Sequence, residues 1–134
     1  NLSDGLKEIY GNFIFDVSKT LPIDDVMCAS DMVVTDYSSL IFEYALLSRP
    51  MIFFAYDLEQ YDRERSFYFD YKNFVPGEIV RDTEELLKAI RKNENNFDRE
   101  KVRAFKEKFM SACDGRSTER ILNKITKGKR YGFV

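Results

Sequence analysis

An α/β fold with a parallel sheet covered by helices on both faces is what this sequence predicts, and three observations predict it. Short apolar runs alternate with helical patterns through the first half. The run MIFFA, residues 51–55, is apolar at every position, and MVVT, 32–35, is rich in β-branched residues. A strand apolar throughout, rather than at alternate positions, needs cover on both faces, and the helices of βαβ units supply it. At 134 residues and 44% apolar content, the chain is long enough to bury one such core.

The elements follow in order. Leu2, Leu6, Ile9 and Tyr10 fall on one helical face at the start, and the chain opens at Asn1 without methionine, as a piece of something longer would. NFIF, 12–15, is a short strand candidate, and PIDDVMCAS, 22–30, is a helix with proline in its first turn. After the strand 32–35 comes a helix, 40–47, with Leu40, Ile41, Tyr44, Ala45 and Leu47 on a broad apolar face. The strand 51–55 follows, completing βαβαβ, whose crossovers are expected to be right-handed. Residues 56–77 break both periodicities and read as a long irregular segment. EIV, 78–80, is a further short strand, and Asp82 with Glu85 three residues on resembles a capping box opening a helix with Leu86, Leu87 and Ile90 inward. Two consecutive helices end the chain, about 98–111 with Val102, Phe105 and Phe109 inward and about 117–126 with Ile121, Leu122 and Ile125 inward. The span 1–127 is read as one domain and 128–134 as a flexible tail.

Composition excludes several functions. The 21 basic and 23 acidic residues nearly cancel, so no long-range field draws the chain to nucleic acid or an anionic membrane, and any anion must be held locally. No run of apolar residues is long enough to span a bilayer. Cys28 and Cys113 stand far apart in a chain of ordinary size and read as two buried thiols outside any disulfide. The absence of histidine removes the commonest general base and zinc ligand and every Ser-His-Asp or Cys-His scheme. No metal or cofactor motif is present, and no GxGxxG or P-loop.

Three clusters carry chemistry. TDYSS, 35–39, lies where a parallel strand ends and a helix begins, the place where open α/β sheets bind ligands. Asp36 or Ser38 there can cap the helix, and Ser38 and Ser39 can equally offer hydroxyls and main-chain donors to a phosphate; one serine can cap while the other stays free. Glu43, one turn on, either accepts hydrogen bonds from vicinal hydroxyls or complements the helix dipole. In DGRSTER, 114–120, Asp114-Gly115 makes a turn, Ser117 or Thr118 opens the last helix, and Arg116 either reaches phosphate oxygens with its fork or is solvated beside Arg120. The third cluster interleaves Arg63 and Arg65 with Tyr61, Phe67, Tyr68, Phe69 and Tyr71, but acids are as numerous there, so it reads as a loop packed by its own aromatics. Arg65 or Tyr68 at a ligand remains a further reading.

With these residues in place, the sequence resembles the CDP-glycerol glycerophosphotransferases, which include the teichoic acid primases and polymerases and their ribitol-phosphate relatives. SDMVVTDYSSLIFEYALLSRPMIFFAYDLEQY, RSFYFDY, FVPGEIV and DGRSTERI carry the resemblance in order and spacing, from about Ile14 to Ile125. It implies a GT-B enzyme of two Rossmann-like three-layer halves, with this chain as the C-terminal, donor-binding half. Ser38 and Ser39 would then hold the pyrophosphate of CDP-glycerol or a related CDP-alcohol, and Arg116, Ser117 and Thr118 would close on the donor phosphates. Asp36, Tyr37, Glu43 and Arg65 would make other donor contacts. The family's catalytic histidines would lie upstream, so this stretch alone should not transfer glycerol phosphate. The resemblance also implies a lipid-linked acceptor, the N-terminal half of the same enzyme as partner, no nucleic acid, and a peripheral place on the cytoplasmic face of the membrane. The donor-binding half of a nucleotide-sugar glycosyltransferase and a docking module without catalysis are the rival readings.

Overall fold

The computed structural model describes residues 10–65 and 70–128, which fall into two compact units, 1–31 and 32–134. In the first unit a single 3-10 turn, Gly11–Phe13, replaces the strand expected at 12–15. Gly11 takes φ +55°, and Phe13 and Phe15 are 85% and 68% exposed. NFIF offers three apolar residues, and so short a run without a ladder partner among the described residues does not hold an extended pairing. Helix α1, Ile23–Ala29, forms as expected, with Pro22 at φ −60° set just before it and Asp24 and Asp25 in its first turn. Met27 is its buried residue, while Cys28, one step round the helix, is exposed. Cys113 is exposed too, so neither thiol is buried as expected.

The second unit holds a parallel sheet in the order β1-β2-β3, comprising Val33–Thr35, Met51–Phe54 and Glu78–Val80. Val34 pairs with Ile52, and Phe53 with Ile79. β2 is central, and Met51, Ile52 and Phe53 are at most 1% exposed. Its unbroken apolarity was the signal for this, because neighbouring residues of a strand face opposite sides. On one side Ile52 and Val80 pack with Ala89 of helix α5, Thr83–Asn95, joined by Met32, Phe54, Leu86 and Ile90. On the other side Phe53 meets the ring of Tyr71 edge-on at 6.2 Å. Helices therefore stand against both faces, the α/β arrangement expected.

Helix α2, Leu40–Ala45, joins β1 to β2 and buries Ile41, Tyr44 and Ala45. Its chain then turns through Ser48, which has φ 54°. A left-handed conformation costs a residue with a Cβ about 1–2 kcal/mol, and glycine gives back up to about 1 kcal/mol of that as lost chain entropy. Ser48→Gly is accordingly expected to raise stability by up to about 1 kcal/mol, read as a higher midpoint in urea unfolding.

Where it is described, the segment 56–77 is not the irregular stretch expected. It contains helix α3, Leu58–Arg65, and the short helix α4, Tyr71–Phe74, whose Lys72 N–H donates to the capping Asp70 carboxylate. Among the described side chains of α3 only Leu58 is buried, so no apolar stripe marked the helix in the sequence. Phe67, Tyr68 and Phe69 lie outside the described residues. Asp82 caps α5 by accepting from the Glu85 N–H at 2.8 Å, and the Glu85 carboxylate reaches back to the Arg81 N–H at 2.7 Å, one residue earlier than a capping box requires. The core face of α5 runs through Leu86, Ala89 and Ile90, while Leu87, expected inside, is 50% exposed.

Helix α6, Arg99–Met110, buries Val102 and Phe105 as expected. Phe105 and Phe109 join Phe42 of α2 and Phe74 of α4 in one aromatic cluster, with ring centroids 4.8–6.0 Å apart. Helix α7, Ser117–Gly128, forms where expected, but Ile121, Leu122 and Ile125 are more than half exposed rather than inward. The apolar stripe shows which face seeks cover, and no described element of the 32–134 unit provides it.

Candidate functional site

Residues 36–39 connect the carboxyl end of β1 to α2, as the strand-turn-helix pattern predicts. The two serine hydroxyls differ in what they bond. The Ser38 hydroxyl accepts from the Leu40 N–H at 3.2 Å and so closes the helix start. The Ser39 side chain makes no capping bond and is exposed. Glu43 is exposed in the first turn of α2, four residues beyond Ser39 and therefore on the same side of the helix. At six residues α2 has a small dipole, so the hydroxyls and loop N–H groups must do most of any anion binding.

Asp36 and Tyr37 are held from outside the turn. The Asp36 carbonyl accepts from the Tyr71 hydroxyl at 2.7 Å, and the Tyr37 hydroxyl donates to Asp57 Oδ1 at 2.8 Å. The Tyr37 ring stacks on Tyr61 at 3.8 Å and 21°, with Tyr71 edge-on at 5.2 Å. Burial, then the hydrogen bond to Asp57, pushes the Tyr37 phenol well above its ordinary range. Burial and the nearby Asp36 charge do the same for Tyr71. Both rings thus stay protonated donors, and Tyr37 points its hydroxyl into the protein's own network.

A cavity of about 540 Å³ opens at the carboxyl ends of β1 and β2, lined by Val34, Thr35, Asp36, Phe54, Tyr56, Thr83 and Leu86. Tyr56 is 71% exposed there. A second cavity, about 570 Å³, lies among Phe74, Phe105 and Phe109 and touches none of the candidate residues.

The 114–118 turn is built from its own hydrogen bonds. Asp114 Oδ1 accepts from the Arg116 N–H at 3.0 Å, and both Asp114 oxygens accept from Arg120 Nη1 at 2.7 and 2.8 Å. Arg120 also donates to the Ala112 carbonyl and to Ser117 Oγ. The Arg120 bonds to the carboxylate, and after them the Arg116 N–H, hold the Asp114 carboxyl below its usual range. Its contribution to stability is therefore present above the ordinary carboxylate range and is lost as pH falls through the lowered value. Arg116 is engaged by Glu119, Nε to Oε2 at 2.9 Å and Nη2 to Oε1 at 3.2 Å, on an exposed surface. Thr118 is exposed. None of these bonds brings Arg116, Ser117 or Thr118 to the 36–39 turn. Arg65 closes α3, and its side chain lies outside the described residues.

Sequence reasoning missed Asp57, Tyr71 and Arg120. A signal existed for Asp57, which stands just past β2, beside the turn after β1, since parallel neighbours end side by side. No local pattern marked Tyr71, whose hydroxyl bonds 35 residues away.

Comparison with known proteins gives a consistent picture. The family described as CDP-Glycerol:Poly(glycerophosphate) glycerophosphotransferase matches residues 3–127. A teichoic acid poly(ribitol-phosphate) polymerase of Bacillus spizizenii is 39% identical over 116 residues, covering 87% of this chain and 18% of that protein. A teichoic acid glycerol-phosphate transferase of Staphylococcus aureus is 40% identical over 121 residues, covering 88% of this chain and 31% of that one. The solved structure of the wall teichoic acid polymerase TagF superposes with TM-score 0.75 at 36% identity, over 95% of this chain and 32% of that chain. The chain spans less than a third of each of these proteins. No helix among the described residues is long and apolar enough to cross a membrane.

Proposed function

The chain belongs to the CDP-glycerol:poly(glycerophosphate) glycerophosphotransferase family, and from that premise we propose that it is the donor-binding half of a GT-B transferase that moves an alcohol phosphate from a CDP-alcohol to a growing polymer or linkage unit. The observation that carries this reading is the 36–39 turn, set at the carboxyl end of β1 with the Ser39 hydroxyl exposed beside a serine that has already closed the helix. Residues 1–127 carry the donor-binding role, and the tail expected over 128–134 lies, beyond Gly128 at the end of α7, outside the described residues. Ser38 and Ser39 hold the donor pyrophosphate through loop N–H groups and the Ser39 hydroxyl. Arg116, Ser117 and Thr118 close on its phosphates, for which the Arg116 fork must exchange Glu119 for phosphate oxygens. Asp36, Glu43 and Arg65 orient the donor, and Tyr37 supports the turn through its ring.

In the reaction an acceptor hydroxyl oxygen bonds to the β-phosphorus, the bond from that phosphorus to the bridging oxygen breaks, and CMP leaves with its electron pair. The acceptor proton passes to a base outside this histidine-free chain. The donor-binding residues stabilise the charge on the phosphate oxygens by fixed hydrogen bonds. The remaining half of the cleft and the lipid-linked acceptor belong to the N-terminal half of the same enzyme, at the cytoplasmic face of the membrane.

Relatives named for ribitol phosphate as well as glycerol phosphate make CDP-ribitol the second donor to test. Calorimetric titration of the full-length protein with CDP-glycerol, CDP-ribitol and a UDP-sugar separates the readings. A CDP-alcohol is expected to bind with a micromolar to millimolar constant, and preference for the UDP-sugar, or no binding of either CDP-alcohol, would overturn the assignment.

A further inference from the structure

Two consecutive residues of the donor turn are gripped by one neighbouring segment. Asp57, just past the end of β2, accepts from Tyr37, and Tyr71, at the start of α4, donates to the Asp36 carbonyl. Tyr61 of α3 stacks on the same Tyr37 ring. Tyr71 is 6% exposed, so its hydroxyl is brought to the carbonyl by a ring already fixed against Phe53. A connecting turn that served only to link β1 to α2 would need neither bond. Phosphate contacts, however, depend on hydroxyl and N–H positions to within about 1 Å.

We propose that Asp57 and Tyr71 are positioning residues for the donor turn, acting through Tyr37 and the Asp36 carbonyl to set where Ser38 and Ser39 meet the donor phosphates. This rests on the donor-turn reading above. The two bonds enter from opposite ends of the 57–71 segment and meet at adjacent residues, so together they fix both the height and the rotation of the turn. Neither residue touches the donor. Their loss therefore weakens donor capture without removing any group that contacts it.

The test uses the full-length enzyme. Tyr71→Phe keeps the ring and deletes only the hydroxyl, Asp57→Ala deletes the acceptor, and Asp57→Asn restores a carbonyl acceptor. The expected result is a KM for CDP-glycerol raised about fivefold in Tyr71→Phe and Asp57→Ala, with kcat changed less than twofold and KM returned toward the parent value in Asp57→Asn. An unchanged KM in Tyr71→Phe and Asp57→Ala, whether or not the melting temperature falls, would overturn the proposal by leaving these residues a structural role alone. Ser39→Ala run alongside separates the two levels. If it leaves KM for CDP-glycerol unchanged, the donor-turn reading fails and this inference with it. If it raises KM while Tyr71→Phe does not, only the positioning role fails.

Discussion

Gly77→Ala is expected to lose about 3 kcal/mol or more of folding stability, the upper end of what overpacking a core costs. A Cβ at this position would sit 2.0 Å from the Met51 carbonyl oxygen, 2.9 Å from its carbon and 3.0 Å from Phe53 Cε2. The obstacle is backbone, so no side-chain rotation relieves it. Met51 begins the central strand and is 1% exposed, and the pairing of Ile52 with Glu78 starts one residue further along. To admit a methyl group, the entry to β3 must move away from β2, and with it Val80, which helps bury α5. Urea unfolding followed by circular dichroism measures the loss, and a change below about 1 kcal/mol would show that β3 can shift at little cost.

That close approach was not legible in the sequence, where FVPG reads as an ordinary turn before EIV. The glycine answers to Met51, 26 residues earlier, and a local pattern carries no information about a partner so distant. The same limit explains the other departures. Of the βαβαβ order expected, the β1-α2-β2 part was legible because β2 is apolar on both faces and β1 is β-branched, signals internal to each strand, whereas its first strand, 12–15, is a 3-10 turn. Helix α3 was missed because its helical form owes little to an apolar stripe, with Leu58 the one buried residue among its described side chains. For α7 the stripe was read correctly as a stripe and wrongly as inward, since Ile121, Leu122 and Ile125 are exposed. At the site, TDYSS was legible as a strand-end turn in which one serine caps and one remains free, because capping follows from position along the chain. The bonds from Asp57 and Tyr71 were not, because they depend on tertiary placement. The Arg120 rather than the Arg116 side chain holds Asp114 in the 114–118 turn, although it stands six residues on and Arg116 only two, a choice that the sequence leaves open.

Ser39→Ala in the full-length enzyme is expected to weaken CDP-glycerol binding roughly tenfold to a hundredfold, the loss that follows from one hydrogen bond to a charged group. The same substitution should leave unfolding within about 0.5 kcal/mol of the parent, because an exposed hydroxyl that caps nothing contributes little to the fold. Ser38→Ala should behave in the reverse proportion. Its hydroxyl is engaged by the Leu40 N–H, so removing it costs about 1 kcal/mol of stability as a lost cap, with a smaller direct effect on the donor. Measuring affinity by calorimetry and stability by urea unfolding on both variants places each serine on two axes. If the turn only joins β1 to α2, Ser39→Ala leaves both quantities unchanged and Ser38→Ala moves stability alone. If it holds a phosphate, the two substitutions separate, since the hydroxyl left over by helix capping is the one available to the ligand.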